Sequence, residues 1–126
     1  MATKTRILPS VTCDNKVYLE QRPAQGIWGS LYCLPVCLPS VDTQQWLRCL
    51  YGINLKKTRL CHSFKHTFSH FHLLGDVVSA SLSVSQAHAL ELGTGIWVSA
   101  DKMNSYGLPA PIKQVLLQFF TDEVKA

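Results

Sequence analysis

One stretch near the C-terminal end constrains the fold more than any other. After Gly107-Leu108-Pro109-Ala110-Pro111, apolar residues recur at Ile112, Val115, Leu116, Phe119 and Phe120. That is the i, i+3, i+4, i+7, i+8 spacing of a helix with one apolar face. Pro111 suits the first helical turn, where a missing amide costs no hydrogen bond. A helix of this kind must lay its stripe on another layer. The remaining apolar runs are short and β-like, so strands, a helix, more strands and this last helix predict an α+β sandwich rather than a βαβ array.

The other elements follow from local chemistry. Arg6–Val11 and Val17–Leu19 flank Asp14-Asn15, which predicts a β-hairpin. Ile27-Trp28-Gly29-Ser30-Leu31-Tyr32 predicts a backbone turning tightly against a packed ring. Ser40 as N-cap and Asp42 in the first turn predict a helix from about Val41 to Tyr51, closed by Gly52. Trp46, Leu47, Leu50 and Tyr51 form its apolar positions. Leu55–Lys65 and Phe68–Ser83 predict two strands with a turn near His66-Thr67-Phe68, and Ile96–Val98 a short buried strand. Residues 85–95 read only as a connection.

At 126 residues the chain has room for one domain. No apolar run is long enough for a membrane-spanning helix, and the first residues have no signal-peptide character, so a cytoplasmic location is expected. Twelve basic and eight acidic residues give a net charge of +4. Between Asp42 and Asp76 there is no acid, while Arg48, Lys56, Lys57, Arg59, Lys65 and four histidines fall there. A one-signed stretch attracts polyanions. Cys13, Cys33, Cys37, Cys49 and Cys61 are odd in number and lack zinc or cluster spacing, so free thiols and no metal are expected.

Three kinds of chemistry meet obstacles. His62, His66, His70 and His72 have no acid nearby in sequence until Asp76 to complete a metal sphere. Ser69 and His70 are neighbours on a strand-like run, so their side chains diverge and do not form a catalytic pair. Magnesium-dependent hydrolysis of phosphate anhydrides requires carboxylates, yet no glutamate lies between Glu20 and Glu91. DNA contact by a loop fares better. Lys65-His66-Thr67-Phe68-Ser69-His70 combines cations, hydroxyls and an aromatic ring near a hairpin tip. The same residues read equally as an ordinary hairpin with Phe68 in the core.

Three segments in order resemble the C-terminal domain of the MutY family of adenine DNA glycosylases. They are Val17–Pro23 with Gly26–Pro35, His66-Thr67-Phe68-Ser69-His70-Phe71-His72-Leu73, and Gly107–Ile112. The likeness runs from about Arg6 to Phe120. It implies a Nudix-like α/β/α sandwich with a mixed β-sheet and two main helices, without the hydrolase's glutamates. It implies that Phe68, Ser69 and His70 contact 8-oxoguanine opposite adenine in double-stranded DNA, with Lys65, His66 and Thr67 flanking. Oxidation at C8 turns guanine N7 from acceptor to donor, and a serine hydroxyl can accept from it.

The family's catalytic carboxylates and 4Fe–4S cluster belong to an N-terminal domain, so no catalytic residue and no cofactor are expected here. The expected partners are damaged DNA and that catalytic domain, the chain itself being a monomer. Residues 1–5 are expected as linker, 6–121 as the domain and 122–126 as a tail. The alternative is a free-standing Nudix-like hydrolase or sensor for oxidised nucleotides. Ser30 stands where many relatives have glycine, with little consequence expected.

Overall fold

The computed structural model describes residues 1–125, and the side chains of all of these but 92 and 122–125. Asp14 and Asn15 take the left-handed turn at φ 49° and 61° that short polar side chains tolerate, and they join β1 (Ala2–Cys13) to β2 (Lys16–Gln21). Then come β3 (Tyr32–Cys33), α1 (Thr43–Tyr51), β4 (Arg59–Thr67), β5 (Phe71–Ser81) and the short α2 (Val84–Ala87). A 3-10 turn at His88–Leu92, β6 (Ile96–Ser99), a 3-10 segment at Ala100–Ser105 and α3 (Ala110–Lys125) complete the chain.

The sheet is mixed, in the order β3-β2-β1-β5-β4, with β6 on β2. Its central pair is parallel: β1 runs beside β5 from Ala2↔Phe71 to Thr12↔Ser81. Strand alternation sends side chains to two separate cores. Leu8, Val17, Leu19, Val77 and Val98 meet Ile112, Val115, Leu116 and Phe120 of α3. Val11, Tyr18 and Ala80 meet Leu47 of α1 on the opposite face. The chain is thus an α/β/α sandwich with two main helices, as the resemblance implied.

Several local expectations shift. The N-cap of α1 is Asp42, not Ser40; its carboxylate accepts from the Gln44 amide at 2.9 Å, so the helix starts at Thr43. Leu50 is exposed, leaving Leu47, Trp46 and Tyr51 as the packed positions. Gly52 closes the helix at φ 67°, as its position suggested. β4 begins at Arg59 rather than near Leu55, and it persists to Thr67. The stretch 85–95, expected only as a connection, holds most of α2, which a Ser83/Gln86 capping box fixes. Thr3–Thr5, within the expected linker, pair with His72–Leu74. Residue 126 of the expected tail lies outside the described residues.

Candidate nucleic-acid interface

The β4–β5 hairpin stays paired to its end. Thr67 lies opposite His72, and Thr67 Oγ1 and His72 Nδ1 are 2.9 Å apart. The Phe68 amide donates to the Phe71 carbonyl at 2.8 Å. The turn is therefore Phe68-Ser69-His70, two residues beyond the predicted position. Ser69 and His70 are exposed there, and among the described residues no side-chain hydrogen bond holds either of them.

Phe68 does not project with them. It is half-buried, stacked on Phe71 at 4.7 Å between ring centres and edge-on to His66 at 4.7 Å. Trp28 lies over both, 5.8 Å from His66 and 5.9 Å from Phe68, and continues to Phe64 at 6.3 Å. Such ring contacts contribute about 0.5–1.5 kcal/mol each beyond the area they bury. Beneath Phe64, directly opposite in register, is Gly75; a Cβ there would strike the ring.

Trp28 lies outside the sequence-predicted site, in the loop expected to turn tightly against a packed ring. The loop that carries it joins β2 to β3. Arg22 and Ser30 amides donate to the Leu31 and Pro23 carbonyls, and the Arg22 guanidinium donates to Ile27 O at 3.2 Å. These bonds hold Trp28 at φ 52° and Ser30 at φ 65°. A left-handed residue with a Cβ costs about 1–2 kcal/mol. The cost is sustained where surrounding contacts determine the conformation.

The flanking cations divide between the two faces. Lys65 pairs with Leu74, and so lies on the face opposite His66. Lys4, from the strand next door, places its ammonium 4.4 Å from the centre of the Phe71 ring. The structure thus gathers His66 and Phe68 under Trp28 with Phe71 stacked on Phe68, exposes Ser69 and His70 at the tip, and sets Lys65 and Thr67 on the far face.

The donor set for metals is poor. Among the described residues, no group of three His, Cys, Asp or Glu side chains converges. Cys33 is buried and its thiol pKa is pushed up to about 12 by desolvation, so it stays protonated. The helix α1 reads Thr-Gln-Gln-Trp-Leu-Arg-Cys-Leu-Tyr and offers no carboxylate to a divalent cation. Among the described residues no helix is long and apolar enough to cross a membrane.

A mixed sheet between two helices defines a Nudix-type scaffold, here with no acid on the first helix. The chain belongs to the NUDIX domain family, whose profile matches residues 9–118. It is similar to the adenine DNA glycosylase of Buchnera aphidicola subsp. Schizaphis graminum, 32% identical over 104 residues. A second, from subsp. Baizongia pistaciae, is 26% identical over 102 residues. These alignments cover 82% and 81% of this chain but only 30% and 28% of the relatives. Among solved structures, the C-terminal domain of mouse MUTYH, in complex with human PCNA, superposes with a TM-score of 0.69. Identity there is 17%, covering 97% of this chain and 90% of the other. Shewanella oneidensis NrtR, complexed with a 27mer DNA, superposes at 0.66 with 12% identity, covering 91% and 58%. At these identities the superpositions establish the fold.

Proposed function

We propose that this chain is the lesion-reading domain of an adenine DNA glycosylase, placing the Phe68-Ser69-His70 tip against 8-oxoguanine opposite adenine. The observation that carries the reading is an exposed Ser69 hydroxyl, without a hydrogen-bond partner among the described residues, at a tip braced by stacked rings. The similarity to the glycosylases supplies the context. The hydroxyl accepts from N7–H of the oxidised base; facing ordinary guanine it meets a lone pair instead. One such contact discriminates by about 1–3 kcal/mol. His66 and Thr67 stiffen the approach, while Lys65 and His70 contact the backbone. Adenine removal and the iron–sulfur cluster belong to a catalytic domain joined to this one. Among the described residues, no carboxylate set supports the alternative of magnesium-dependent nucleotide hydrolysis.

The test is an amide-resolved titration at low, fixed salt with duplexes carrying 8-oxoguanine:adenine or guanine:adenine. Shifts should centre on residues 65–72, with the lesion duplex bound more tightly. Ser69→Ala should narrow that difference about fivefold or more. Equal affinity for both duplexes would sink the proposal.

A further inference from the structure

A second cleft lies at the other end of β4, about 26 Å from the hairpin tip at 3.3 Å per residue. It encloses about 410 Å³ between α3 and the β1–β5–β4 half of the sheet. Ser10 and Ser79 face it from the sheet, Arg59 and His62 from β4, Gln114 and Phe119 from α3. The hairpin reading makes no use of any of these residues.

Two observations mark it as a site. The first is a bulge. β4 slips register between Leu60 and His62, so the consecutive residues Cys61 and His62 both line the cleft. A regular strand would turn one of them away; bulges commonly re-aim side chains beside binding sites. The second is unspent hydrogen-bonding capacity. Ser10 is only 5% exposed. Neither Ser10 nor Arg59, Ser79 or Gln114 makes a side-chain hydrogen bond or salt bridge with a described residue.

The chemistry of the lining is selective. Among the described residues no carboxylate borders the cleft, and Arg59 is a fork of donors suited to a phosphate. A neighbouring depression shares Arg59 and Ser79 and adds Lys57, which extends the positive field outward. On the α3 side, Phe119 offers an apolar ring and Gln114 a carboxamide with both donor and acceptor. The volume is that of a small-molecule site. A duplex cannot pass beneath α3, but a single nucleotide fits.

We propose that this cleft binds a nucleoside monophosphate, with the phosphate on Arg59 and Ser79 and the base against Phe119 and Gln114. The proposal stands apart from the hairpin reading, and the two can fail separately. The test titrates the whole chain, followed by amide NMR, with deoxyguanosine 5′-monophosphate, deoxyguanosine, inorganic phosphate and a short duplex in turn. The nucleotide should shift residues 59–62, Ser79 and Gln114, leaving residues 66–72 unmoved. The nucleoside should bind about tenfold more weakly, and Arg59→Gln should weaken the nucleotide by about the same factor. Gln114→Ala, an exposed helical position, should weaken nucleotide and nucleoside alike. Three results would each overturn the proposal: no cleft shifts at millimolar nucleotide, nucleotide affinity indifferent to Arg59→Gln, or cleft shifts produced by the duplex alone.

Discussion

Ser30 carries a conformation that its side chain does not favour. Its φ of 65° lies in the left-handed region, its side chain is exposed, and its amide is committed to Pro23 O. From sequence, serine in place of the family's glycine was expected to matter little. The backbone angle corrects that. Left-handed strain of about 1–2 kcal/mol outweighs the entropy, about 0.4–1 kcal/mol, that an added glycine would restore to the unfolded chain. Ser30→Gly should therefore raise stability, by up to about 1 kcal/mol in urea unfolding. A loss of stability would mean that the strain is absent. Gly29 does not offer the same opening, because a Cβ there would collide with the Ala24 carbonyl. Adjacent small residues in this loop thus answer to different constraints, one torsional and one steric. Composition does not distinguish them.

Among the elements, the β4–β5 hairpin was legible as two strands and a tip, but its end was misplaced. Thr67 and His72 extend the ladder past Lys65 by bonding to one another, and only Phe68-Ser69-His70 separate the two strands. The brace was harder to foresee. Gly26–Ser30 announced a tight turn around a ring, yet no spacing rule connects Trp28 to residues about forty positions later. Only the fold brings them together. On the proposed reading Trp28 is a positioning residue, because it touches Phe68 and His66 but not Ser69 or His70. Trp28→Ala should raise fast backbone motion at residues 68–70, measured by heteronuclear relaxation, and should reduce lesion preference about threefold or more. Trp28→Phe should restore most of both. If the alanine variant kept a rigid tip and full preference, the brace would be irrelevant to reading.

For the whole molecule, periodicity gave the α3 stripe and the sandwich, because each element's apolar face is a local property. The parallel β1–β5 pairing was beyond it: strands some seventy residues apart leave no mark on one another's spacing, and only the family resemblance implied a mixed sheet. That pairing also determines how charge is distributed. It carries Lys4 to the hairpin, beside Phe71, although Lys4 lies far outside the acid-free interval that drew attention to the basic residues. The interval itself is divided, with Arg59 at one end of β4 and Lys65 near the other. On the proposed reading a duplex held at the tip would meet Lys4 and Lys65 but not Arg59 or Lys57. Two phosphate contacts correspond to a slope of about −2 in log affinity against log salt. Lys65→Gln should make the slope shallower by about one unit, and Arg59→Gln should leave it unchanged. A slope several units steeper, sensitive to Arg59, would mean that the duplex runs the length of β4 and that the positive charge forms one surface rather than two.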